Sequence, residues 1–223
     1  YMVGSVVQLA LALLFATILS FNPKGGSFFR GALYFPSLVC GIAVGFIFKY
    51  FYTHGFVLDS ILGLLGISED MLPFWLKDTR INNWVLVASS IWRYMGQNMV
   101  LFIGAIASVD KTQYEAAAID GANAWHRFRY IILPSIRTIV VLNMILAISG
   151  SLSVFEIPYV ITDGGFGTST YFVLMDKLAH ANQKVGLASA MALVLILVVS
   201  GIQKLAEKKM NFGVRVGKRR ARK

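Results

Sequence analysis

The chain is poor in charge. Of its 223 residues only 14% are Asp, Glu, Lys or Arg, while 57% are hydrophobic and the mean hydropathy is +0.66. A soluble domain carries about a quarter charged residues, so the deficit points to a bilayer. There is a single cysteine, Cys40. That excludes a disulfide framework within the chain and a cluster of thiolates around a metal. No G-x-x-x-x-G-K-[ST] stretch occurs, so nothing is built to cradle the phosphates of ATP. H-E-x-x-H and G-x-S-x-G are also missing, and His54, His126 and His180 are scattered. Gly164-Gly165-Phe166-Gly167 has no Lys after it and reads as a turn. These absences leave no catalytic residue, no metal ligand and no cofactor to expect in this chain. Any ATP hydrolysis must belong to a partner.

What is present is apolar sequence in long runs. A bilayer span needs about 20 mainly apolar residues. Five segments fit, at about 1–21, 28–52, 84–109, 136–161 and 186–205. The second contains Pro36, Gly31, Gly41 and Gly45. The expected fold is an all-α, polytopic transmembrane helix bundle over 1–209, followed by a basic tail at 210–223. The net charge of +10 lies largely in that tail. A basic segment beside a span faces cytoplasm and anionic lipid more readily than nucleic acid, so a nucleic-acid partner is not expected. The sequence starts at Tyr1 inside an apolar run with no cationic lead, so it is expected to continue upstream.

Lys and Arg placement sets the orientation. With the tail inside, alternation puts residues 110–135 inside with Lys111, Arg127 and Arg129, and "NPKGGSFFR" inside with Lys24 and Arg30. The loop from Thr53 to Asn83, with Asp59, Glu69, Asp70 and Asp78, falls outside. So does the turn "TDGGFGTST". Tyr50, Tyr52, Trp75 and Trp84 mark the outer interface. Leu58, Ile61, Leu62 and Leu65 recur at helical spacing, which predicts a short interfacial helix.

The inner loop is more than a connector. Thr112 reads as an N-cap with Glu115 three residues on, a capping box. "EAAAID" favours helix, Gly121 stands where a left-handed C-cap is wanted, and a second helix begins near Asn123. Pro134 is expected to break that helix before the next span. Tyr114, Trp125, Phe128 and Tyr130 suit a protein interface. They also suit an amphipathic helix lying on lipid, and the residues alone leave both open.

"EAAAIDGANAWHRFRYIILP" resembles the EAA motif of permease subunits of ABC transporters, through Glu115, Ala116, Ala117, Gly121, Ile131, Leu133 and Pro134. "FFRGALYFPSLVCGIAVGFIFKYFY" and "VFEIPYVITDGGFGTST" look like the matching regions of binding-protein-dependent carbohydrate permeases of the maltose and multiple-sugar type. The likeness runs essentially end to end. Asp110 and Phe166 stand where the family often has Pro, and members usually carry another helix upstream. The resemblance implies a type I importer permease fold in a bacterial plasma membrane. It makes 110–135 a cytoplasmic coupling loop, with Glu115, Ala116, Ala117, Asp120, Gly121, Leu133 and Pro134 facing an ABC ATPase dimer. The other implied partners are a second and different permease chain, an extracytoplasmic solute-binding protein, a sugar and lipid. ATP and Mg would be bound by the ATPase.

Polar groups at bilayer depth are costly and point to function. Arg93 and Gln97 lie one turn apart, as do Tyr94 and Asn98. Ser149, Ser153 and Glu156 are spaced as a helical stripe, with Ser151 nearby. Arg93, Tyr94, Gln97, Asn98, Ser151, Ser153 and Glu156 are therefore the expected substrate path, and Tyr94, Gln97 and Ser151 also match substrate positions that the resemblance implies. The structural alternative is that Arg93 and Glu156 pair across a helix interface and the serines only pack. The expected function is the membrane subunit of an ATP-driven sugar importer. The rivals are an importer for another solute, such as glycerol phosphate or a peptide, an ion-coupled secondary transporter, and a non-transporting scaffold.

Overall fold

The computed structural model describes residues 1–21, 25–68 and 71–220, without the side chains of 206, 207 and 209–220. Lys24, Glu69, Asp70 and the last three residues of the basic tail lie outside the described residues. Among the described residues there is helix and no strand. In chain order the helices are α1 (Met2–Ser20), α2 (Gly26–Leu38), α3 (Gly41–Tyr52), α4 (Val57–Leu64), α5 (Asn82–Ala107), α6 (Lys111–Ile119) and α7 (Ala124–Arg127). They continue as α8 (Leu133–Ser135), α9 (Arg137–Leu152), α10 (Glu156–Thr162), α11 (Tyr171–Asp176) and α12 (Val185–Arg220). The backbone of α12 carries the start of the basic tail as helix.

Among the described residues, three helical stretches are long and apolar enough to cross a membrane: Met2–Ser20, Arg137–Thr162 and Val185–Leu205. A fourth arises if α2 and α3 count as one broken span; they meet at 98°. The bend has a local cause. Pro36 has no N–H for the helical ladder, α2 ends two residues later, and Cys40 is extended at φ −55°, ψ 134° before α3 restarts at Gly41. α5 has 26 residues, long enough to cross, but Ser89, Ser90, Arg93, Gln97 and Asn98 dilute its apolar character.

Contacts divide the chain into two compact units. One contains Tyr1–Gly4, Leu38–Arg93 and Gly150–Val198. Its core is Val44, Leu86, Ile157 and Ile161, with Tyr1, Val39, Phe48 and Leu76 against it. Here α3 packs closely on α10. A Cβ on Gly45 would stand 2.7 Å from Val160 Cβ, and one on Gly41 would collide with the Glu156 carboxylate and the Arg93 guanidinium. Gly41 and Gly45 are four apart and so lie on one helix face, the spacing that lets backbones approach within lipid.

The other unit contains Ser5–Ser37, Tyr94–Ser149 and Val199–Lys223. Leu9, Ala12, Ala16 and Leu19 of α1 recur every three or four residues and meet Met99, Phe102 and Ile106 of α5. Ile132 and Ile136 complete this core. Arg30 donates to the Leu19 carbonyl at 2.6 Å, closing the end of α1.

Candidate functional site

The loop between α5 and α9 is a helix pair built from local signals. Asp110 caps α6, its Oδ1 accepting from the Thr112 amide at 3.0 Å. Thr112 is therefore not the N-cap, and the expected capping box is replaced. "DKT" offers two capping side chains two residues apart, and the carboxylate wins, favoured by the positive helix end. The hydrogen bonds from Thr112 hold the Asp110 carboxyl below the usual carboxylate range. Glu115 then sits a full turn inside α6 and is exposed.

The C-terminal end is a Schellman turn. The Ala122 amide donates to the Ala117 carbonyl at 2.9 Å and the Gly121 amide to Ala118 at 3.2 Å. Gly121 has φ +73°, the left-handed region. Asn123 then caps α7, accepting from the His126 amide at 2.9 Å, and Arg127 Nε reaches back to the Ala122 carbonyl at 3.1 Å. The turn is fastened from both sides.

Pro134 does not break the second helix, contrary to expectation. The chain widens into a π turn over Phe128–Ile132, passes through α8, which contains Pro134, and enters α9 after Ile136. A wider turn relieves the clash between a proline ring and the carbonyl four residues back.

This element has two faces. Tyr114 and Phe128 pack on the core of their unit, and burial raises the Tyr114 phenol so that it stays neutral. Ile119, Trp125 and Tyr130 project outward, 88%, 65% and 71% exposed. Trp125 lies 5.6 Å from Phe128 by ring centroid, and Tyr130 stacks on His126 at 6.0 Å. Glu115, Ala116, Asp120, Gly121 and Pro134 are exposed, while Ala117 and Leu133 are half-buried. Ile119 was not among the expected site residues; its place as the last apolar residue before the cap was the available signal.

The polar residues of the expected substrate path separate into two groups. Arg93 and Glu156 form an ion pair in the first unit. The pair lies against Gly41, where a Cβ would meet both side chains. Arg93 is largely shielded and Glu156 half-exposed. This is the structural alternative stated above. Ser149, Ser153 and Glu156 do not share one continuous stripe, because the helix stops between α9 and α10. Ser153 is in that turn, and Phe155 has non-helical φ −133°, ψ −61°. Ser151 is in the last turn of α9, half-buried. Tyr94, Gln97 and Asn98 belong to the second unit. Gln97 and Tyr94 are exposed, and Asn98 donates to the Tyr94 carbonyl of its own helix at 3.2 Å. A cleft of about 330 Å³ in the first unit is lined by Phe155, Phe172, Met175, His180 and Val185, among others, but by none of these residues.

Two polar clusters had no sequence signal. Asp59 is fully buried, accepting from the Gly55 amide and Trp75 Nε1, each at 2.7 Å, and meeting His54 Nδ1 at 2.8 Å. Burial pushes its carboxyl up, but these bonds and the neighbouring imidazole outweigh that and hold it below the usual carboxylate range. Buried Asn82 donates to the Phe166 carbonyl at 2.7 Å, and Thr162 and Thr168 share a hydroxyl bond at 2.6 Å. Together they hold the glycine-rich turn, in which Asp163 and Phe166 both have φ +52°.

Residues 8–212 match the model of the family described as "Binding-protein-dependent transport system inner membrane component". The chain belongs to this family. It is 29% identical over 216 residues to the probable ABC transporter permease YesP of Bacillus subtilis, covering 95% of this chain and 69% of the relative. It is 30% identical over 220 residues to the arabinooligosaccharides transport permease AraP of Halalkalibacterium halodurans, covering 92% and 67%. The fold is similar to that in the crystal structure of a bacterial alginate ABC transporter in complex with an alginate pentasaccharide-bound periplasmic protein. That match has a TM-score of 0.79 at 18% identity and covers 91% of this chain and 74% of the other. The chain is thus a membrane component of a transport system that depends on a binding protein, and the family's membrane subunits are not themselves enzymes.

Proposed function

We propose that this chain is the permease subunit of an ATP-driven importer that receives a sugar or oligosaccharide from a solute-binding protein outside the membrane. One observation carries the coupling part. A doubly fastened helix pair leaves most of the Ile119, Trp125 and Tyr130 side chains exposed. Aromatic and aliphatic side chains so exposed, on an element held by a Schellman turn and two caps, suit a protein cleft. The partner of that surface is a cytoplasmic ABC ATPase, which holds ATP and Mg. A second, different permease chain completes the pore.

In this reading the α6–α7 pair and the basic C-terminus lie in the cytoplasm, while the 53–83 loop and the glycine-rich turn lie outside. Closure of the ATPases on ATP moves the two coupling surfaces together and opens the path outward; hydrolysis resets it. The chain transmits motion and makes no covalent bond. The candidates for substrate contact are Arg93, Ser151, Ser153 and Glu156 in the first unit, and Tyr94, Gln97 and Asn98 in the second. The named substrates of AraP and of the alginate transporter support a carbohydrate as cargo.

The test is purification of the intact complex through a tag on this chain. An ABC ATPase, a second permease and a binding protein should co-purify, and reconstituted vesicles should take up the sugar held by that binding protein only with ATP inside. Uptake that persists without ATP and collapses with an uncoupler would instead establish ion coupling. A binding protein loaded with peptide or glycerol phosphate would overturn the sugar assignment.

A further inference from the structure

The loop between α3 and α5 carries an exposed apolar surface of its own. α4 has eight residues, about 12 Å of helix, against about 30 Å of hydrocarbon in a bilayer. It cannot span. Yet its outward side is almost wholly apolar. Leu64 is 90% exposed and the adjoining Leu65 74%, with Val57 and Ile61 near half. From Tyr50 to Ile67 the sequence has no Lys, Arg or Glu, and its one Asp, Asp59, is turned inward and fully buried. The polar atoms of Asp59 are taken up by Gly55, Trp75 and His54, so this carboxylate fastens α4 to the loop and leaves no ionised group on its outer face.

That face is continuous with another. Ile42, Phe46, Ile47 and Tyr50 of α3 are also about half-exposed, and the Tyr50 ring meets Phe56, just before α4, at 6.1 Å. α3 is half of the bent apolar pair. The apolar surface of a membrane helix therefore runs on, past a ring contact, onto a helix too short to cross. A binding protein or a soluble domain would need polar groups to set its register, and this face offers only Ser60 and backbone. Lipid needs none.

We infer that α4 is an outer-leaflet anchor, lying in the bilayer interface with Leu64 and Leu65 immersed in lipid and Asp59 holding it to the loop. Its leaflet rests on the orientation proposed above; its immersion does not. Lacking a cationic face, it does not require anionic headgroups, unlike most interfacial helices.

The test uses the full transporter complex in vesicles, with Cys40→Ser and Leu64→Cys carrying an environment-sensitive fluorophore. Blue-shifted emission, quenched by acyl-chain nitroxide lipids and not by aqueous iodide, is expected, equally in phosphatidylcholine and in vesicles containing phosphatidylglycerol. Asp59→Asn should reduce the lipid quenching at least severalfold. Iodide quenching without lipid quenching overturns the anchor, as does a label shielded only when the binding protein or second permease is present. Leaflet is read separately. A Ser68→Cys variant on the same Cys40→Ser background should react with an impermeant thiol reagent from outside. Reaction from inside alone, with lipid quenching intact, would overturn the orientation and spare the anchoring itself.

Discussion

Replacing Gly121 isolates the backbone of the coupling turn from its packing. The residue has φ +73°, and an added Cβ would meet nothing within 4 Å. Substitution therefore costs conformational energy alone. A residue with a Cβ in the left-handed region costs about 1–2 kcal/mol, a factor of about 5–30 in the ratio of formed to unformed turn. Asn tolerates that region and belongs at the low end, Ala lies between, and β-branched Val belongs at or beyond the high end. The two Schellman bonds, at 2.9 and 3.2 Å, depend on that conformation, and with them the angle at which Ile119 and Trp125 are presented. The assay is binding-protein-stimulated ATP hydrolysis by the purified complex, normalised to the amount of this chain in the membrane. Gly121→Asn should lose no more than about fivefold, Gly121→Ala up to about tenfold and Gly121→Val up to about thirtyfold or more. Full activity in Gly121→Val would refute the turn as a coupling element. Equal loss in Gly121→Asn and Gly121→Val would show that size, not backbone, matters there.

Gly45→Ala should destabilise the extracted protein by about 1–3 kcal/mol, because Val160 stands in the way, and adding Val160→Gly should recover part of that loss in a melting experiment; a silent single variant would separate α3 from α10. Arg93→Ala should cost about 2 kcal/mol, between the values for exposed and buried ion pairs, since Glu156 is partly solvated; the charge exchange Arg93→Glu with Glu156→Arg should restore part of it, and if it does not, the pairing is not what holds the two side chains. Asp59 has a depressed carboxyl, so its contribution should be constant above about pH 4 and lost as pH falls through the lower folded value. Asp59→Asn should therefore melt lower than the native chain at neutral pH, the gap beginning to close below about pH 4 and vanishing only past the lower folded value; a gap that persists beyond that would place the effect elsewhere than in the charge.

The sequence makes the α6–α7 pair readable because its signals are local: caps, a glycine and a helix-favouring run lie within a dozen residues. Where two local signals compete, the reading slips. Asp110 and Thr112 both cap well, and only geometry decides between them. The π turn over Phe128–Ile132 has no periodic signature, so Pro134 reads as a stop while the helix in fact goes around it. The apolar runs announce membrane segments, and Pro36 announces a disturbance in the second. The 98° angle itself is set by backbone torsions such as those of Cys40, which no sequence pattern announces. Arg93 and Glu156 stand out as opposite charges in apolar surroundings, but 63 residues separate them and no spacing rule links them. The Asp59 cluster is the least legible. An acidic residue in an outer loop reads as solvated, whereas its partner Trp75 lies 16 residues on and buries it.

The Arg93–Glu156 pair touches two places where helical hydrogen bonding is interrupted, the elbow before Gly41 and the gap before Glu156. Positions 41, 93 and 156 thus constrain one another in space. A larger residue at the first is acceptable only if the side chains at the other two shrink or withdraw. A substitution at any one of the three therefore changes what the other two will tolerate.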